Sequence, residues 1–213
     1  MGIGGALSGD QPRLQDQRNR RGEYAALEFN QTHRLTTGWI YELPFGRGKR
    51  LANVAGPANA LVGGWSFQGL YTVHTGFPLT PTSSVSSNVG RQDMNRSNRV
   101  CDGNLSGDQR RITRWFDTSC FPDHVFGAFG NSGNGVITGP GVNNFDLTLM
   151  KNTAIPMGRA EPGNLQFRAE FFNAFNHAAF ADPTMTANTA QFGVIRGTRI
   201  NGREIQLALK FLF

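Results

Sequence analysis

The stretch REIQLALKFLF (203–213) places Ile205, Leu207, Leu209, Phe211 and Phe213 at every second position, with Gln206, Ala208, Lys210 and Leu212 between them. Period two marks a strand with one apolar face. Here the pattern runs to a terminal aromatic ring, where a frayed hydrophilic tail is the usual ending. The alternation recurs upstream. In LQFRAEFFNAF (165–175), Leu165, Phe167, Ala169, Phe171 and Phe175 alternate with Gln166, Arg168, Glu170 and Ala174. In NFDLTLMKN (144–152), Phe145, Leu147 and Leu149 alternate with Asp146 and Thr148. WSFQGLYTVHTGF (65–77) sets Trp65, Phe67, Tyr71 and Val73 against Ser66, Gln68, Thr72 and His74. RLTTGWIYELPF (34–45) turns Leu35, Trp39, Tyr41 and Leu43 away from Arg34, Thr36 and Glu42. These are five two-faced strands of about ten residues each, the length that crosses a bilayer. YAALEFN (24–30) is a weaker sixth.

Composition agrees with a β protein. The chain of 213 residues is 38% hydrophobic and 17% charged, with 27 glycines and 17 phenylalanines. Glycine and aromatics in that excess suit turns and strands better than helices. The net charge of +6 comes mostly from arginines spread along the connections, among them Arg18, Arg20, Arg21, Arg91, Arg110 and Arg114. No basic helix or aromatic–basic RNA motif accompanies them, which argues against nucleic acid as a partner. No apolar run of membrane-helix length occurs. The opening MGIGGALSGDQPRLQDQRNRR has no apolar signal-peptide core, so no signal peptide is expected in this chain, and residues 1–22 are expected to be a poorly ordered segment or loop remnant.

An antiparallel sheet over a soluble core also alternates, and a soluble β-sandwich or surface adhesion module using residues 78–142 is the alternative reading. Two features favour a transmembrane barrel. Aromatics cluster near strand ends, with Trp39, Tyr41, Trp65, Phe67, Tyr71, Phe171 and Phe175 as candidate membrane-interface residues. The connections also alternate in length. Residues 155–164 form a Pro- and Gly-marked turn, whereas 78–142 and 177–203 are long, as short periplasmic turns and long extracellular loops are. If 203–213 runs toward the periplasm, both long loops fall outside and 155–164 falls inside. The connection 46–63 also falls inside and is longer than ideal.

Chemistry-bearing candidates are few. Cys101 and Cys120, the only cysteines, lie in one long loop and suggest a disulfide in an exported protein. His33, His74, His124 and His177 are scattered over different segments. No metalloprotease, nucleophile-elbow or complete phosphate-loop motif appears. GRGKR (46–50) reads as a basic turn at a membrane surface. No catalytic residue, metal ligand or cofactor is expected, and the chain is not expected to be an enzyme.

Taken in order, HRLTTGWIYELPFGRGKR, LVGGWSFQGLYTVHTGFPLT, GPGVNNFDLTLMKN, LQFRAEFFNAFNHAAF and REIQLALKFLF resemble the C-terminal barrel of TonB-dependent outer-membrane receptors. The similarity is to the Oar-like type with a carboxypeptidase-regulatory-like domain, and it spans residues 23 to 213. It implies a bacterial outer-membrane location and a barrel of about 22 strands, plugged by a separate domain. The function implied is uptake of a bulky, unidentified ligand with energy relayed by TonB. The chain itself is then expected to be an incomplete barrel segment of five or six antiparallel strands, an all-β C-terminal portion of a larger receptor. Its partners would be outer-membrane lipid, the missing barrel and plug and, through them, TonB. The final strand resembles the signal read by the barrel-insertion machinery, carried by Leu207, Leu209, Phe211 and Phe213. Phe167, Phe171, Leu207 and Phe211 are expected to face lipid. Gln166, Arg168, Glu170, Gln206 and Lys210 are expected to face the lumen.

Overall fold

The computed structural model describes residues 15–16, 18–53, 56–87, 95–158 and 162–213. In chain order the elements are β1 (Arg34–Glu42), α1 (Pro57–Val62), β2 (Trp65–His74), β3 (Pro78–Leu79), a 3₁₀ turn (Thr118–Cys120), β4 (Ile137–Thr138), β5 (Val142–Ile155), β6 (Gly163–Phe172) and β7 (Glu204–Leu212). The chain divides into two units. One holds a five-stranded sheet in the order β1-β2-β5-β6-β7, antiparallel throughout. The sheet is not closed: β1 and β7 each have one neighbour among the described residues. This is the all-β, incomplete-barrel architecture that the period-two stretches imply.

The register explains why alternation is so regular. Pairing runs Trp39 to Gly69, Gly69 to Leu147, Leu147 to Phe171 and Phe171 to Ile205, so one row of side chains crosses all five strands on one face. The next apolar row is Tyr41, Phe67, Leu149, Ala169 and Leu207. A slip of one residue in any strand would exchange its two faces, placing Arg168 and Glu170 among phenylalanines.

YAALEFN is not a strand. Its backbone ends in a turn in which Asn30 N–H donates to the Leu27 carbonyl at 2.8 Å, and Tyr24 is exposed. The preceding Glu23 is instead bound to Arg96, and residues 24–30 belong to the second unit. The 46–63 connection also differs from a plain turn, because Pro57 starts the short helix α1 there.

The second unit comprises residues 1–32, 75–141 and 180–197. Both segments expected as long loops therefore contribute to a body with its own core. Phe116, Cys120, Phe121 and Ile137 are buried together, with Leu79, Trp115 and Phe192 packed against them. Phe116 meets Phe121 and Phe192 edge-on, with ring centroids 5.8 and 5.1 Å apart. The two segments are stitched by backbone bonds from Trp115 N to Gly193 O and from Ile195 N to Ile112 O. Of the N-terminal segment 1–22, residues 1–14 and 17 lie outside the described residues. Gln15 is buried: its amide donates to the Gly130 carbonyl and accepts from Arg96 N–H, both at 2.8 Å.

Candidate functional site

In the sheet unit the functional surface is the sheet itself. Strands tilted about 40° need ten or so residues to cross an apolar band about 25 Å tall. β2 and β6 have 10 residues and β5 has 14. At the end where β2 finishes and β5 begins, Tyr71 stacks on Phe145 at 4.3 Å. Phe175 and Trp39 meet the same Phe145 ring edge-on at 5.3 and 6.0 Å. Three of the interface candidates thus converge on a residue the girdle assignment omitted. At the opposite end, Trp65 lies in the row of Lys151, Phe167 and Leu209. Phe211 and Phe213 stack there at 5.9 Å. Phe67, Tyr41 and Phe171 belong to the rows between the two ends.

Two residues that pattern-reading passed over shape this face. Gly69 has no side chain because the Trp39 ring occupies its place: a Cβ there would lie 2.0 Å from Trp39 Cζ2. The aromatic ring covers the glycine across the strand pair, as in aromatic rescue. Lys151 is the other, a cation on the apolar face. Its ammonium sits 5.0 Å from the Trp65 ring centroid and donates to the Gly63 carbonyl at 2.7 Å. The aliphatic stem covers apolar surface while the charge reaches the sheet end. An odd-numbered lysine after Phe145, Leu147 and Leu149 was the available signal.

The other face carries the polar row. Arg168 and Glu170, two apart and so on one face, pair with each other at 2.7 Å. Gln166 and Asn164 both donate to Asn152 Oδ1, at 3.0 and 3.2 Å. Lys210 stands opposite Gln166 and Gln206 opposite Glu170 in the register. Ile40, Leu70 and Met150 share this face, so it is mixed rather than uniformly polar. Leu207 and Leu209 are 67% and 70% exposed on the opposite, apolar face of β7. Phe211 lies on that face too, and Phe213 beyond the last paired residue is more exposed still.

The long excursions leave at the ends of β2 and β6 and return at the starts of β5 and β7. The register places all four points at one end of the sheet. There Asn173 adopts a left-handed backbone (φ 48°) and binds the chain around it. Its side chain accepts from His177 N–H and donates to the His177 and Asn201 carbonyls. β1 and β5 finish, and β2 and β6 begin, at the other end.

In the second unit, Cys101 and Cys120 form a disulfide. Arg96 and Glu23 form a bidentate pair at 2.7 and 2.9 Å, both side chains about 95% removed from solvent. Burial would raise the Glu23 carboxyl. The Arg96 hydrogen bonds, the Asp16 N–H and the Arg96 charge outweigh it and hold the group below the ordinary glutamate range. Asp123 is likewise lowered: its burial is outweighed by hydrogen bonds from Ser84 and Ser83. A cleft of about 620 Å³ runs beside it, between Thr118, Ser119 and Phe121 on one wall and Asn188, Thr189 and Phe192 on the other. His124 is buried and bonds Asn95 Oδ1 at 2.6 Å, while His33, His74 and His177 belong to the sheet unit. Among the described residues no group of three metal-ligating side chains occurs. No described helix is long and apolar enough to cross a membrane, which has no bearing on strands.

Comparison with known proteins agrees with this geometry. Residues 2–206 match the family described as outer membrane beta barrel domain, nearly the whole chain. No curated protein and no solved structure matches it. The two-faced antiparallel sheet and the extent of that match lead to one assignment: the chain belongs to the outer membrane β-barrel domain family.

Proposed function

We propose that the five strands are adjoining staves of a large TonB-dependent receptor barrel of Oar-like type, acting in uptake of a bulky ligand rather than in catalysis. The observation that carries this reading is the open sheet. Its apolar face is exposed along β1 and β7, and each outer strand has one described neighbour. In hydrocarbon every strand edge must be paired, so the wall needs strands beyond these five. The mixed polar face with its Arg168 and Glu170 pair suits a wide lumen holding a plug. In the same reading the exposed Leu207, Leu209, Phe211 and Phe213 are handed to the barrel-insertion machinery, and TonB acts through the plug.

The test is in-cell cross-linking of outer membranes followed by mass spectrometry. The expected result is β7 cross-linked to a further strand-bearing segment, within a complex that also contains TonB. Recovery of the chain as a detergent-free monomer contradicts the proposal. That outcome would favour the second reading, a binding or adhesion module, for which the separate core and polar-walled cleft of the second unit speak.

A further inference from the structure

We infer that the turn end of the sheet is a binding site for the headgroup of an anionic phospholipid in the periplasmic leaflet. This rests on the membrane reading above and adds a ligand class to it. Four cationic residues belong to this end: Arg47, Lys49 and Arg50 in the GRGKR turn, and Lys151 from β5, whose ammonium bonds the Gly63 carbonyl. Against them, among the described side chains of the two segments that supply them, stands the carboxylate of Glu42. It takes Lys49 at 3.0 Å and leaves the cluster cationic.

The cluster is held rather than trailing. Arg47 N–H donates to Asn59 Oδ1 at 2.7 Å, tying the basic turn to α1. The backbones of Gly46 and Gly63 approach so closely that a Cβ on Gly46 would lie 2.7 Å from the Gly63 Cα. Gly63 in turn accepts from Lys151, and Trp65 Nε1–H donates to the Leu61 carbonyl at 2.9 Å. One connected framework therefore presents arginines, a lysine, an indole and exposed apolar side chains. Leu61 and Leu51 are 75% and 50% exposed.

That combination fits a lipid better than a soluble anion. A free phosphate needs only the cations, whereas Leu61, Leu51 and Trp65 supply apolar and amphipathic surface of the kind found where headgroup meets acyl chain. Lys151 reaches the boundary from the apolar face, while the arginines lie in the turn beyond the strand ends. A headgroup phosphate held between them would leave its acyl chains against the Phe167 and Leu209 row.

The test reconstitutes the outer-membrane assembly in which β1 and β7 are paired with further strands, in phosphatidylcholine vesicles containing either phosphatidylglycerol or phosphatidylethanolamine. Lipid retained after detergent extraction is counted by native mass spectrometry. The wild-type chain is expected to retain phosphatidylglycerol preferentially. The triple variant R47Q/K49Q/R50Q should lose that preference by about fivefold per charge removed. Arg196→Gln, in the other unit, should keep it. Equal retention of the two lipids, or an unchanged preference in the triple variant, overturns the site while insertion itself upholds the membrane reading. Failure of the wild-type assembly to insert into any vesicle overturns both.

Discussion

At the residue scale, the contact between Gly69 and Trp39 makes a sharp prediction. Gly69→Val would drive a side chain into the indole, at a cost of about 1–3 kcal/mol, the usual penalty for overpacking. Trp39 emission should shift as the ring is displaced; an unchanged spectrum and stability would mean the ring does not lie on the glycine. The glycine was silent in the sequence because period-two reading counts side chains, and the information lay in the missing one. Lys151 was silent for the opposite reason, since a charge at an odd position looks like a defect until Trp65 and Gly63 are seen around it. The buried pair of Glu23 and Arg96 spans 73 residues, and no local pattern encodes such a separation. Because the folded Glu23 carboxyl lies below its ordinary range, its stabilisation is present above that range and is lost as pH falls through the folded value. Glu23→Gln should flatten the acid limb of the unfolding curve. It should also cost about 3–5 kcal/mol at neutral pH by leaving Arg96 buried and unpaired. An acid limb as steep as the wild type's would contradict this.

At the element scale, the strands were legible and their surroundings were not. All five two-faced stretches are strands in one sheet, because alternation in burial is what a strand needs. The sixth stretch, with weaker alternation, is not. Register adds what periodicity lacks, namely depth along the face. Leu209 shares a row with Lys151 and Trp65, where a cation already has an outlet, whereas Leu207 lies one row away beside Ala169 and Leu149. Leu207→Arg should therefore impair bilayer insertion by about 2–4 kcal/mol, and Leu209→Arg by clearly less. Folding titrations into lipid of the complete barrel carrying each variant measure both; equal penalties would contradict the assigned depth. In the second unit, the Cys101 and Cys120 bond closes a loop with a sequence separation of 19. Removing it with paired serines should destabilise that unit by about 3 kcal/mol on the chain-entropy account. Thermal unfolding with and without reductant checks this.

At the scale of the whole molecule, two units share one chain, and only one was foreseen. Residues 75–141 and 180–197 read as loops because their apolar residues are neither periodic nor close in sequence. Their core forms only when Phe116, Phe121 and Phe192 come together from separate segments. The sheet, by contrast, announces itself, and the match over residues 2–206 to an outer-membrane barrel family agrees with it. What joins these observations is the claim that one face of the sheet meets lipid and the other meets water. The most direct measurement is a spin-label scan along β6 in the bilayer-reconstituted assembly that pairs β1 and β7 with further strands, comparing collisions with oxygen and with a water-soluble nickel complex. Labels at Leu165, Phe167, Ala169 and Phe171 should favour oxygen, and labels at Gln166, Arg168 and Glu170 should favour nickel. Loss of the two-residue period, or its reversal, would contradict the account.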